Sequence, residues 1–118
     1  MLDQNIQSDS YWTTLKWPAA PNNNDYLVFS GYATGRVLLL GSTQLLLPLC
    51  TEAWDIKPRY PDTKIKSKDW FSLDEHWDTI IIDGGLAFGK EFTERLLPLV
   101  LAHCDTFVAR AFLNPNWP

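Results

Sequence analysis

Five positions in this chain pair a suitable residue type with a suitable place for ligand chemistry. They are Gly41-Ser42-Thr43, Asp55, Asp69-Trp70, Asp83-Gly84-Gly85 and Arg110. A glycine lets the backbone approach a ligand closely. Ser42 and Thr43 can add hydroxyls and the free N–H groups of a helix start. A carboxylate at the end of a strand, as Asp55 would be, can accept hydrogen bonds from both ribose hydroxyls. An Asp-Trp pair such as Asp69-Trp70 can bond an exocyclic amine and offer a ring face to an adenine. Each also has a purely structural reading. Gly41 can be a plain turn residue, Ser42 or Thr43 an N-cap, Asp55 a turn residue before KPRYP, and Trp70 a core or lid residue. Asp83-Gly84-Gly85 can be a strand-ending turn and Arg110 the ion-pair partner of Asp83. No one of them is specific. Their order along the chain is what carries weight.

That order depends on the elements that would position them. RVLLL (36–40) is continuously apolar and of strand length, the pattern of a strand buried on both faces in a parallel sheet. TQLLLPLC (43–50) reads as a short helix with Thr43 near its N-cap and Pro48 limiting its length. EAWDI (52–56) reads as a second strand ending at Asp55, and TKIKS (63–67) as a weaker third strand at a sheet edge, given its alternating lysines. KDWFSLDEHW is read as a polar loop. DTIIID (78–83) is a β-branched, buried strand, and DTFVARAFL (105–113) a last one. The segment FGKEFTERLLPLVLAHC is a helix with apolar positions at Phe92, Leu96, Leu97, Leu99, Val100 and Leu101, and with Pro98 inside it. Upstream, PAAPNNND reads as a loop in which an asparagine or Asp25 caps a short helix over YLVFSGYA, ended by Gly31 or Gly35. YWTTLKW (11–17) can form a helical turn.

Strand–helix–strand alternation predicts an α/β fold with a largely parallel sheet. Gly41, Asp55, Asp69 and Asp83 follow one another at intervals of fourteen (55−41, 69−55, 83−69). A parallel crossover needs about a dozen residues, so these units are nearly minimal, and the second has no room for a helix. The segments share no further sequence and form no internal repeat.

The set VLLLG-ST, D, DW, WDTIIIDGGLAF and RAF resembles class I S-adenosylmethionine-dependent methyltransferases. It is most similar to a bacterial subgroup whose first motif is LGxTxE rather than a multi-glycine loop. The likeness runs from about residue 11 to 115. It implies that Gly41, Ser42 and Thr43 cradle the methionine moiety and that Asp55 holds the ribose. Asp69 and Trp70 would hold the adenine, and Asp83 with Gly84 would floor the sulfonium. Tyr11 and Trp12, with Arg110, would face the substrate, and Pro18, Pro21 and Asp25 would belong to the entrance segment. S-adenosylmethionine is the cofactor so implied. The chain departs from the pattern in having Gln44 and Leu45 where an acidic residue is expected, no helix over Ile56–Thr63, and no strands after the fifth. No residue stands out as a general base, although methyl transfer can proceed by proximity and orientation alone.

The expected architecture is a Rossmann-like three-layer sandwich with a mainly parallel five-stranded sheet of order 3-2-1-4-5, lacking the usual C-terminal strands. It would be a single domain over 1–118, with 1–24 as an N-terminal extension or lid. The function expected is methyl transfer to a small acceptor. The alternative is a non-catalytic relative that keeps the fold as a ligand-binding or protein-interaction module. A flavodoxin-like phosphate or nucleotide binder is disfavoured by the lack of basic residues near Gly41.

Composition narrows the partners. The net charge of −4 and pI near 4.9 point away from nucleic acid, and the densest basic runs, KPR and KIKSK, read as a solvated edge. Six Trp in 118 residues exceed what a small core can hide, so some are expected to line a pocket or interface. Cys50 and Cys104 sit in apolar stretches and read as free buried thiols of a reducing compartment. Two His and two scattered Cys make no metal-ligand spacing. A polar start and short apolar runs predict a soluble cytoplasmic protein. TFVARAFL as an exposed apolar edge predicts a homodimer through that strand or the helix before it. Sedimentation velocity at micromolar concentration should show a dimer; a monomer there contradicts that expectation.

Overall fold

Val37-Leu38-Leu39-Leu40 forms strand β1 with every side chain buried. A strand with no polar face must be covered on both sides, and the remaining elements do this. The structure is a computed structural model that describes residues 22–58, 61–83 and 90–110, without the side chains of 90–93. Helix α1 (Asn23–Tyr32) leads into β1 (Val37–Leu40), a 3₁₀ helix (Gln44–Leu49) and β2 (Glu52–Trp54). After β3 (Ile65–Lys66) come a second 3₁₀ helix (Trp70–Ser72), β4 (Trp77–Asp83), α2 (Lys90–Leu101) and β5 (Cys104–Arg110). The sheet order is β3-β2-β1-β4-β5, with all four pairings parallel. This is the order expected from the sequence.

The alternation of side chains sorts the core into two layers. Val37, Leu39, Ala53 and Ile81 pack with Phe29 of α1 and with Leu46, Leu47 and Cys50 around the first 3₁₀ helix. Leu38, Leu40, Trp54, Trp77, Ile80 and Ile82 pack with Leu73 and with Leu96 and Val100 of α2. The three layers of a Rossmann-like α/β fold are therefore present. Among the described helices, none is long and apolar enough to cross a membrane.

Several boundaries differ from the sequence reading for local reasons. Asn22 caps α1 by accepting from the Asp25 N–H, while the Asp25 carboxylate accepts from the Asn22 N–H, a reciprocal capping box. Asn23 and Asn24 thus form the first helical turn instead of a loop. Gly31 lies within the helix, which ends at Tyr32. The 43–50 segment becomes a 3₁₀ helix containing Pro48, and Thr43 occupies its N-cap position without a side-chain cap bond. Arg36 precedes β1 and is exposed, its guanidinium bonded to Glu75 and stacked over the Trp77 ring. β2 stops at Trp54, one residue before Asp55. The KDWFSLDEHW stretch holds the second 3₁₀ helix, and its final residue, Trp77, opens β4. In α2, Leu101 is exposed rather than packed. Between β2 and β3 the described residues contain no helix, as the short spacing required. The 11–17 segment lies outside the described residues.

Helix α1 buries only Phe29 fully, and Leu27, Val28 and Tyr32 are exposed. Polar contacts hold its ends. The fully buried Thr79 hydroxyl donates to the Thr34 carbonyl and accepts from the Thr34 N–H just beyond the helix. Gly35 then turns the chain into β1 with φ +66°, and a Cβ there would strike the Asp78 carboxylate. That carboxylate accepts the Arg36 N–H at 2.6 Å. Both cysteines are free, and burial pushes the Cys50 thiol up to about 12. Gly35→Ala should cost about 1–2 kcal/mol from its left-handed backbone alone, plus the displacement of Asp78. Urea unfolding should show the loss; an unchanged midpoint would contradict the account of this turn.

Candidate functional site

Strand register brings the singled-out residues together. Leu40 pairs with Trp54 on one side and with Ile82 on the other. The next residues, Asp55, Gly41 and Asp83, therefore stand side by side at the carboxyl edge, and Asp83 is itself in register with Arg110. The row reads Asp55, Gly41, Asp83, Arg110 across β2, β1, β4 and β5. With strands about 4.8 Å apart, the two aspartates flank Gly41 at a separation of about 10 Å. The β1–β4 boundary is where the strand order reverses, the crevice in which open α/β sheets bind ligands. Gly41 has φ +130°, and where its Cβ would stand there is nothing within 4 Å among the described residues. Its N–H donates to the Trp54 carbonyl at 2.8 Å, which ties the exit of β1 to the end of β2.

Asp55 is fixed by two internal donors. The Ser42 hydroxyl donates to Oδ2 at 2.5 Å, and the Lys57 N–H donates to Oδ1 at 2.9 Å. Asp55 thus heads a local turn and also stands at the edge of the sheet. Ser42 is buried. The first helix after β1 is a six-residue 3₁₀ helix. The expected free N–H cluster of an α-helical start, next to Ser42 and Thr43, is therefore not what this turn provides.

Asp69 and Trp70 follow β3. Asp69 caps the second 3₁₀ helix by accepting the Phe71 N–H at 2.9 Å. The Trp70 indole N–H donates to the Trp54 carbonyl at 2.8 Å, and its half-buried ring packs on the core. The Trp54 carbonyl therefore receives both Gly41 and Trp70. Trp70 behaves here as the structural residue foreseen for it, anchoring the loop beside the row.

At the other end of the row, Arg110 grips Asp83 with two bonds, Nε to Oδ1 at 2.6 Å and Nη2 to Oδ2 at 3.2 Å. Its Nη1 lies 3.5 Å from Oδ2 of Asp25 in α1. The Asp83 side chain is 6% exposed, so a paired guanidinium is what keeps its charge tolerable. Burial raises the Asp83 carboxyl above its usual range, while Arg110 opposes that shift. The structural reading of Arg110 is thus realised, with Asp25 as an unforeseen third member. In the sequence Asp25 reads as a helix cap and, by the family likeness, as part of the entrance segment, not as a partner of Arg110.

Tyr11, Trp12 and Gly84 lie outside the described residues. Among the described residues no group of three or more His, Cys, Asp or Glu is placed to hold a metal ion. The arrangement offers acceptors for hydroxyls and amines, an open glycine and a buried ion pair. Among the described residues, no hydroxyl or thiol of this arrangement is paired with a histidine base.

Fold and edge together define the class: a Rossmann-like α/β protein with its polar residues gathered at the strand-order reversal. No protein-family model, curated protein or solved structure matches the chain.

Proposed function

We propose that the carboxyl edge of the sheet binds an adenosine-bearing small molecule, with S-adenosylmethionine as the candidate cofactor of a methyltransferase-like protein. The observation that carries the reading is Asp55, a carboxylate fixed next to the open, left-handed Gly41 at the end of β2. A carboxylate has about four acceptor positions. One internal donor on each oxygen leaves each with further capacity, the number a vicinal diol needs. Gly41 supplies close approach, and the second acceptor capacity of Asp69 supplies a partner for an exocyclic amine. Trp70 would contribute its ring alone, since its N–H is committed to Trp54. Transfer of a methyl group to a small acceptor then asks this chain chiefly for alignment.

A second reading has its own support. Ser42, Asp69, Trp70, Asp83 and Arg110 all have partners within the chain. An edge so satisfied suits a non-catalytic relative kept as an interaction module.

Calorimetric titration with S-adenosylmethionine and S-adenosylhomocysteine separates the two. The first reading expects micromolar binding that weakens at least about tenfold, a loss of ~1.4 kcal/mol, in Asp55→Ala. Absence of heat with either compound, from a sample whose circular dichroism shows it folded, removes the cofactor and leaves the interaction module.

A further inference from the structure

We infer that Ser42 serves the ribose end of the ligand by holding the Asp55 carboxylate in place, instead of cradling the methionine moiety as the family likeness would have it. The inference rests on the nucleoside reading above. It starts from where the Ser42 hydroxyl points. Its donor bond goes to Asp55 Oδ2 at 2.5 Å, across from one strand end to the next. The residue is 6% exposed, so its hydroxyl is not free to swing toward a ligand over Gly41.

An exposed aspartate samples several rotamers and would have to be ordered on binding. Asp55 is ordered beforehand from both sides. The Lys57 N–H fixes Oδ1 from its own turn, a contact any residue at position 57 except proline would make. Ser42 fixes Oδ2 from the turn beyond the neighbouring strand, and this contact depends on the side chain. A hydrogen bond to a charged group is short and strong, so the plane of the carboxylate is set by these two bonds together. Without Ser42 the carboxylate can turn about the remaining bond, and the pair of acceptors offered to a vicinal diol loses its alignment. Ser42 is in this sense a positioning residue, acting through Asp55.

The role has a chemical signature. A residue acting on the ribose through Asp55 should matter equally for any ligand with the diol and not for one without it. A residue acting on the methionine moiety should matter only when that moiety is present. Three probes distinguish these cases: S-adenosylhomocysteine, adenosine and 2′,3′-dideoxyadenosine, titrated by NMR line shifts into the full chain at millimolar concentration where needed. Ser42→Ala should weaken the first two by the same factor, about fivefold. It should change the dideoxy compound by less than about twofold, within what a neutral contact would give. Ser42→Cys, of similar shape with a weak donor, should fall between, and serves if Ser42→Ala melts early.

A loss confined to S-adenosylhomocysteine would overturn the inference and return Ser42 to the methionine. So would an equal loss for the dideoxy compound, which would mark a general structural role. If Asp55→Asn abolishes binding while both Ser42 variants bind as the wild type does, this inference alone fails and the nucleoside reading stands. If the wild-type chain binds none of the three, both fail.

Discussion

The four residues of β1 have no polar face, and that constraint organises the molecule. Val37 and Leu39 demand one apolar cover, and Leu38 and Leu40 another. Among the described residues both demands are met with little material. One layer is α1 and a six-residue 3₁₀ helix; the other is α2 and the segment around the second 3₁₀ helix. At about 25 cal/mol per Å² of apolar surface removed from water, a doubly covered central strand is the strongest fixed point such a small core can have. Parallel pairing of β1 with β2 and β4 then sets the register. Register, in turn, decides which residues stand together at the carboxyl edge.

The polar contacts are arranged around that fixed point. At one end of the sheet, Thr79 and Asp78 tie the turn between α1 and β1. At the other, the Trp54 carbonyl collects the Gly41 and Trp70 donors, Ser42 and Lys57 hold Asp55, and Arg110 joins Asp83 with Asp25. A helix such as α1, with one fully buried side chain, needs these ties because its apolar burial is small. The same ties hold the carboxyl edge in a fixed arrangement. Internal satisfaction and readiness to bind are thus not opposed at Asp55, whose carboxylate keeps acceptor capacity after both internal bonds. They are opposed at Asp83, whose carboxylate is 6% exposed and closed over by the Arg110 guanidinium.

The sheet order and the two central strands were legible because continuous apolar runs of strand length, RVLLL and DTIIID, leave few alternatives in a short α/β chain. The edge row was legible in part. The fourteen-residue spacing of Gly41, Asp55, Asp69 and Asp83 reflects nearly minimal crossovers, and such units bring strand ends into line. What the sequence hid depends on contacts made across it. Pro48 and a string of leucines do not say whether a turn is α or 3₁₀. The first turn of α1 uses Asn23 and Asn24, whose composition suggests a loop, because the Asn22–Asp25 capping box outweighs their weak propensity. The bonds of Ser42 to Asp55 and of Trp70 to Trp54 join residues brought near only by sheet register. The periodicity that placed Leu101 on the apolar side of α2 fails there because the helix ends at that residue, past the edge of the core.

The central claim is that the ligand edge of this fold lies over Gly41 and Asp55. A backbone amide spectrum of the labelled protein, recorded with and without S-adenosylhomocysteine, tests it directly. The account predicts that the largest shifts fall on Gly41, Ser42, Asp55 and Lys57, with the far edge around Arg36, His76 and Asp105 unmoved. Shifts centred on that far edge, or none at Gly41 and Asp55 under saturating ligand, would contradict it.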